Sequence, residues 1–135
     1  MIITVHLIYR SVMDTIEKIE ALKKRTKSMA LRIINMYQNL PKTVEAQVLG
    51  KQVLRSATSV AANYRAVARN KSQADRINKL GTVVEEADET IFWLELLVEA
   101  DIVPKSKLVD LMGECEEILK MTSSSLYKLK QQRRK

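Results

Sequence analysis

The chain has 135 residues, 46% hydrophobic and 29% charged, with three glycines, two prolines and a formal net charge of +7. That length suits one domain with a single core, and the balance is that of a globular chain rather than a disordered one. So few glycines and prolines permit few turns, so the elements must be long, and the scarcity of β-branched runs after residue 12 points to an all-α protein.

Residues 1–13 read differently from the rest. "ITVHLIY" is strand-like, yet no second strand follows to pair with it. The segment is therefore expected to be an irregular arm, or an extension upstream of the bundle. It has no basic region or small-residue cleavage site of a secretory signal. The first helix is expected from about residue 15 to about 40, with Asp14 as its N-cap and Pro41 as its stop. Ile16, Ile19, Leu22, Met29, Ile33, Met36 and Leu40 recur at helical spacing and mark its inner face.

Thr43 is expected to cap a second helix over about 44–70, with Val44, Val48, Val53, Leu54, Ala57, Val60, Ala61, Tyr64, Val67 and Ala68 on its apolar face. "RNKS" makes the next turn, and Ser72 followed by Asp75 resembles a capping box with a shorter acid. The third helix, about 73–100, turns Ile77, Leu80, Val84, Ala87, Ile91, Leu94 and Val98 inward. "ADIVPKS" breaks it, and Ser106 is the expected cap of a fourth helix over about 107–130. Leu108, Leu111, Cys115, Ile118, Leu119, Leu126 and Leu129 line that helix, and "QQRRK" frays into a basic tail whose charged residues are 133–135. Four long helices with short turns predict an antiparallel up-down-up-down bundle over 14–132. Gly50, Gly81 and Gly113 fall inside helices, a cost that close helix approach would offset.

Much chemistry is absent from this inventory. The lone histidine, His6, lies outside the bundle, so a histidine-based di-iron, zinc or haem site has no ligands. There is no phosphate-cradling glycine loop and no nucleophile–base set. Cys115 has no partner for a disulfide and reads as a small buried hydrophobe. No apolar run approaches the roughly 20 residues of a membrane span. A non-enzymatic cytoplasmic protein with neither cofactor nor metal is expected. One carboxylate set merits weighing. "EEADE" places Glu85, Glu86, Asp88 and Glu89 at helical spacing and resembles half of the Mg²⁺ site of all-α nucleotide pyrophosphohydrolases. The second half there is Glu-x-x-Asp, whereas Glu114 and Glu117 supply Glu-x-x-Glu here, and outward acids paired with lysines or arginines are the commoner arrangement.

The charge is patchy. Residues 55–79 hold six bases (Arg55, Arg65, Arg69, Lys71, Arg76, Lys79) and one acid, residues 120–135 hold six bases and no acid, and residues 85–101 hold seven acids and no base. The first cluster, with Lys128, Lys130, Arg133 and Arg134 of the second, is the candidate surface for nucleic-acid phosphates. Few aromatics are available for base stacking, so contact without sequence choice is expected. The alternative is a protein scaffold in which the bases meet the acidic block of a neighbouring subunit. "TIFWLELLVEA" is apolar nearly all round, so Phe92, Trp93 and Leu96 are candidates for a subunit interface. Ala62 and Ala66, from a stretch with alanines on several sides of its helix, join them. Asn63 and Ser59 read as a small polar layer satisfied by neighbouring helices.

"LRSATSVAANYRAVARNKSQADRINKLGTVVEEADETIFWLELLVEA" resembles the 23S rRNA intervening-sequence protein family, small bacterial four-helix bundle proteins, some encoded within insertions in 23S rRNA genes. The resemblance covers roughly residues 25–130 and is strongest over 54–99. Many relatives carry a Glu-Gly pair soon after the asparagine aligned with Asn63, where this chain has "NYRAVARNKS". The resemblance implies a bundle assembled as a ring-like homopentamer. It is also similar in fold and charge to the accessory variability proteins of diversity-generating retroelements, which implies nucleic acid and a reverse transcriptase as partners.

Overall fold

The computed structural model describes residues 2–70 and 72–134. Four helices account for nearly all of them: α1 (Ile2–Gln38), α2 (Val44–Arg69), α3 (Gln73–Glu99) and α4 (Lys105–Arg134). No strand occurs among the described residues. α1 packs on α2 and α4, and α3 on α2 and α4, so consecutive antiparallel helices occupy the corners of a square. The α2–α3 seam is the most extensive and the α1–α4 seam the thinnest.

Local chemistry explains most boundaries. Thr43 caps α2, its hydroxyl accepting from Ala46 N at 3.3 Å. Ser72 caps α3, accepting from Asp75 N at 3.4 Å. α3 ends where Asp101 turns to φ 58°, and Ile102 N donates back to Leu97 O at 3.0 Å. That left-handed residue and back-bond close the last turn of the helix.

Two starts differ from the sequence reading. α1 begins at Ile2, so 2–13 is helix rather than an irregular arm, and Asp14 lies inside the helix rather than capping it. The strand-like residues there have no strand to pair with, and a stiff helix already formed downstream propagates through them at little cost. α4 begins at Lys105, so Ser106 is a first-turn residue and not a cap. Pro104 precedes it, and Lys107 N donates to Pro104 O at 3.0 Å. At the other end α4 runs to Arg134, so the basic tail is helical as far as described.

The core is one cluster drawn from all four helices, with Met29, Ile33, Val53, Val60, Leu80, Val83, Leu94, Leu97 and Ile118 almost fully enclosed. The expected inner faces hold in the middle of α1, α2 and α4 and fail at their ends, whereas on α3 Val83 and Leu97 are enclosed in place of the expected Val84 and Val98, which are half-buried. Val44 and Val48 are exposed at the start of α2, and Ile16 is exposed on α1, because nothing packs opposite them. Each helix also buries one serine or threonine hydroxyl: Thr26, Ser56, Thr90 and Thr122. Each bonds a carbonyl three or four residues back in its own helix, so none is left unsatisfied. Ser56 and Thr90 also meet each other across α2 and α3 at 2.9 Å.

Gly50 faces the end of α1, where an added Cβ would lie 2.5 Å from Leu40 Cδ1 and 2.8 Å from Tyr37 Cδ2. Close approach therefore explains Gly50. It does not explain Gly81 or Gly113, each of which faces open space.

Candidate nucleic-acid interface

An antiparallel square puts the C-terminal end of α2, the N-terminal end of α3 and the C-terminal end of α4 at the same end of the bundle. Arg65, Arg69 and Lys79 from the first two, and Lys128, Lys130, Arg133 and Arg134 from α4, are all exposed there. Two clusters some 50 residues apart in sequence thus share one end of the bundle, on the diagonal helices α2 and α4 with the start of α3 between them. Lys71 lies outside the described residues. Tyr64 fills the interior of this end, and burial pushes its phenol up to about 12, an effect the nearby Arg76 charge opposes.

Two cations of the expected set do not stand exposed and unpaired at this end. Arg76 is half-buried, with its Nε enclosed and lacking an acceptor among the described residues. Arg55 sits at mid-bundle and crosses to α3, with Nη1 3.3 Å from Glu86 Oε2 and Nη2 3.6 Å from Glu89 Oε2. Burial raises the Glu86 carboxyl, and the Arg55 charge opposes that rise. Arg55 is therefore committed to its own subunit's acids, which also takes two acids away from the expected pairing with a neighbour.

The second carboxylate pair is occupied in the same manner. Arg25 of α1 reaches α4, with Nε 3.1 Å from Glu114 Oε2, Nη2 2.6 Å from Glu117 Oε2 and Nη1 3.3 Å from Met121 Sδ. The guanidinium's hydrogen bonds hold the Glu114 carboxyl below the usual carboxylate range. Glu86 and Glu89 thus lie on the α2–α3 seam and Glu114 and Glu117 on the α1–α4 seam, each pair around an arginine. Among the described residues no three His, Cys, Asp or Glu side chains gather as a metal would need. Sequence reasoning missed Arg25 altogether, since a lone arginine among "ALKKRTK" shows nothing of its partners some 90 residues away.

The expected interface residues are placed as follows. Phe92 is 49% exposed and meets Trp93 edge-on with ring centroids 5.0 Å apart. Trp93 packs against the core, and its Nε1 is buried with no acceptor among the described residues. Leu96 is half-buried, Ala62 exposed and Ala66 half-buried. Ala62 and Ala66 lie on the turn side of the Arg55–Glu86–Glu89 contact and Phe92 and Leu96 on the other, so the two pairs do not form one patch. Asn63 donates to Ser59 O at 2.9 Å and to Ser59 Oγ at 3.0 Å. That polar pair is satisfied within α2, not by neighbouring helices. Cys115 is buried, and burial pushes its thiol up to about 12.

The sequence model described as "23S rRNA-intervening sequence protein" matches residues 17–124. The chain belongs to that family. A solved structure of a protein of unknown function from the S23 ribosomal protein family of Bacteroides thetaiotaomicron is 35% identical to it, with a TM-score of 0.76, over 82% of this chain and 98% of the other. No curated protein matches the chain. Among the described residues no helix is long and apolar enough to cross a membrane.

Proposed function

We propose that the protein is a non-enzymatic, oligomeric bundle that binds nucleic acid through backbone phosphates at its basic end. The observation that carries this reading is that Arg65, Arg69, Lys79, Lys128, Lys130, Arg133 and Arg134 are all exposed at one end of the bundle. Guanidinium and ammonium groups on phosphates release counterions and give affinity without sequence choice. The name of the family, which ties its members to 23S rRNA, makes structured RNA the first nucleic acid to try. A ring of subunits repeats the basic surface, and repetition turns weak contacts into useful avidity. The half-exposed Phe92 beside Trp93, whose indole N–H lacks an acceptor, supports a subunit contact on α3.

The scaffold alternative is the weaker, because Glu86 and Glu89 already meet Arg55 of their own chain. The test is binding of the purified protein to structured RNA and to duplex DNA across a salt series. Affinity should fall steeply as salt rises, with a slope that shrinks by about one for each phosphate-contacting cation removed. Arg65→Glu with Arg69→Glu should weaken binding to all sequences alike. Absence of binding at low salt, or binding indifferent to salt, would overturn the reading.

A further inference from the structure

Two apolar features find no partner among the described residues, and α1 carries the first and walls the second. The first is the N-terminal stretch of α1. Ile2, Ile3, Val5, Leu7, Ile8, Tyr9, Val12 and Ile16 are 47–87% exposed, and the first buried residue of the helix is Leu22. Val5, Ile8, Val12, Thr15 and Ile19 continue, at alternating spacings of three and four, the same stripe that Leu22, Thr26, Met29 and Ile33 bury in the core. A core-type stripe thus runs on for some four turns before Leu22, the first residue of the helix to be buried. This segment precedes residues 17–124, the part shared with the family.

The second feature is a groove of about 700 Å³ on the thin α1–α4 seam, at the opposite end of the bundle. Leu31, Met36, Leu40, Ile102, Leu108 and Leu111 form its apolar part, and Ser28, Asn35 and Asn39 with Arg32 and Lys107 its polar part. Leu31 is 57% exposed.

We propose that the α1 overhang of one copy docks in the α1–α4 groove of a second copy. The overhang cannot fill its own groove: both belong to one continuous helix, and about 35 Å of it separates Ile8 from Leu31. The sizes are comparable, since residues 2–16 span about 21 Å of helix and the α1 wall 28–38 about 15 Å, which Asn39, Leu40 and Pro41 extend. The charges match as well. Asp14, Glu17 and Glu20 stand exposed at the root of the overhang, while Arg32 and Lys107 border the groove and exposed Lys42 and Lys105 stand close by. Root acids outnumber the segment's cations Arg10 and Lys18, whereas helices that settle on lipid surfaces carry a lysine- and arginine-rich polar face. An apolar helix laid in a groove between helices is a common mode of recognition. Because donor and acceptor patches differ, the contact is head-to-tail and propagates into a closed ring or a filament. It rests on neither nucleic-acid binding nor the Phe92–Trp93 contact.

The test uses full-length chains carrying one new thiol each, with Cys115 left in place because it is buried and unreactive. Both Ile8 and Leu31 are exposed, so Ile8→Cys and Leu31→Cys leave the fold intact, as circular dichroism will verify. On mild oxidation an equimolar mixture should form the mixed disulfide about tenfold more than a mixture of Ile8→Cys with Tyr127→Cys, because contact raises the local thiol concentration. In a second measurement, Ile8→Glu and Leu31→Glu should each lower the weight-average mass of the wild-type assembly. Cross-linking of Ile8→Cys to itself as readily as to Leu31→Cys would assign the overhangs to each other and overturn the proposal. Cross-linking no better than the Tyr127→Cys control would also overturn it, and recruitment of the wild-type chain to anionic vesicles would then give the segment to a lipid surface.

Discussion

Gly50, Gly81 and Gly113 look alike in sequence, each a glycine inside a helix, yet their surroundings make opposite predictions. A methyl group at Gly50 would press on Leu40 and on the Tyr37 ring, which a 3.1 Å hydrogen bond from its hydroxyl to Gln47 Oε1 helps to hold. Gly50→Ala should therefore lower stability, as an overpacking cost of about 1–3 kcal/mol exceeds the gain in helix propensity of about 1 kcal/mol. Gly81→Ala and Gly113→Ala meet nothing within 4 Å, and each should raise stability by up to about 1 kcal/mol. Urea unfolding of the three variants checks the signs. Asp101, at φ 58°, presents the same logic on the backbone. Asp101→Gly removes the steric cost of the left-handed region and should stabilise the chain by about 0.5–1 kcal/mol in the same measurement. None of these signs was legible in the sequence, because a glycine's role depends on what stands opposite it.

Between elements, the α1–α4 seam is the informative one. It is thin, and Arg25 with Glu114 and Glu117 bridges it. Glu114 has a lower pKa folded than unfolded, so its contribution is present at neutral pH. It is lost as pH falls from the ordinary carboxylate value through the depressed folded one. Glu86 runs the other way: its raised folded pKa costs stability when it is charged, and acidification relieves that cost. Arg25→Met should therefore destabilise the protein by about 1 kcal/mol near pH 7 and lose the part of the acid-side decline that Glu114 supplies. Urea midpoints for both proteins between about pH 7 and about pH 3.5 would reveal it. Loss of the difference at low pH is the expected outcome; a pH-independent difference would mean that Arg25 acts through packing alone. The capping side chains were readable in advance because capping is local. Thr43 and Ser72 each bond an amide three residues on. The arginine bridges were not, because their partners lie on other helices.

For the molecule as a whole, an up-down-up-down order brings two basic stretches, remote in sequence, to one end and leaves two apolar features at opposite ends of α1. The first arrangement predicts salt-sensitive, sequence-tolerant binding to RNA or DNA that weakens on charge reversal at Arg65 and Arg69. The second predicts self-association that depends on Ile8 and Leu31. The two properties should separate at the level of the single subunit, apart from the avidity that assembly adds. Ile8→Glu should lower assembly mass while each subunit keeps its phosphate contacts, and Arg65→Glu with Arg69→Glu should weaken binding while leaving assembly mass unchanged. Light scattering and a binding titration on the same preparations would check both.

The sequence by itself determined the four helices, their order, the caps at Thr43 and Ser72, and most of the central core residues, though on α3 it took Val84 and Val98 for the enclosed Val83 and Leu97. Those follow from local periodicity and short-range hydrogen bonding, which need no distant partner. Family membership was legible for a similar reason, in the continuous stretch 54–99. Tertiary structure alone decided which charges are free. Arg55 and Arg25 are held by acids across seams, and Arg76 is half-buried, whereas Arg65, Arg69 and the α4 cations stand exposed. It also decided that residues 2–13 continue α1. Strand-like residues with no strand to pair with take the conformation of the helix they adjoin, and their side chains remain exposed because nothing in the same subunit reaches them.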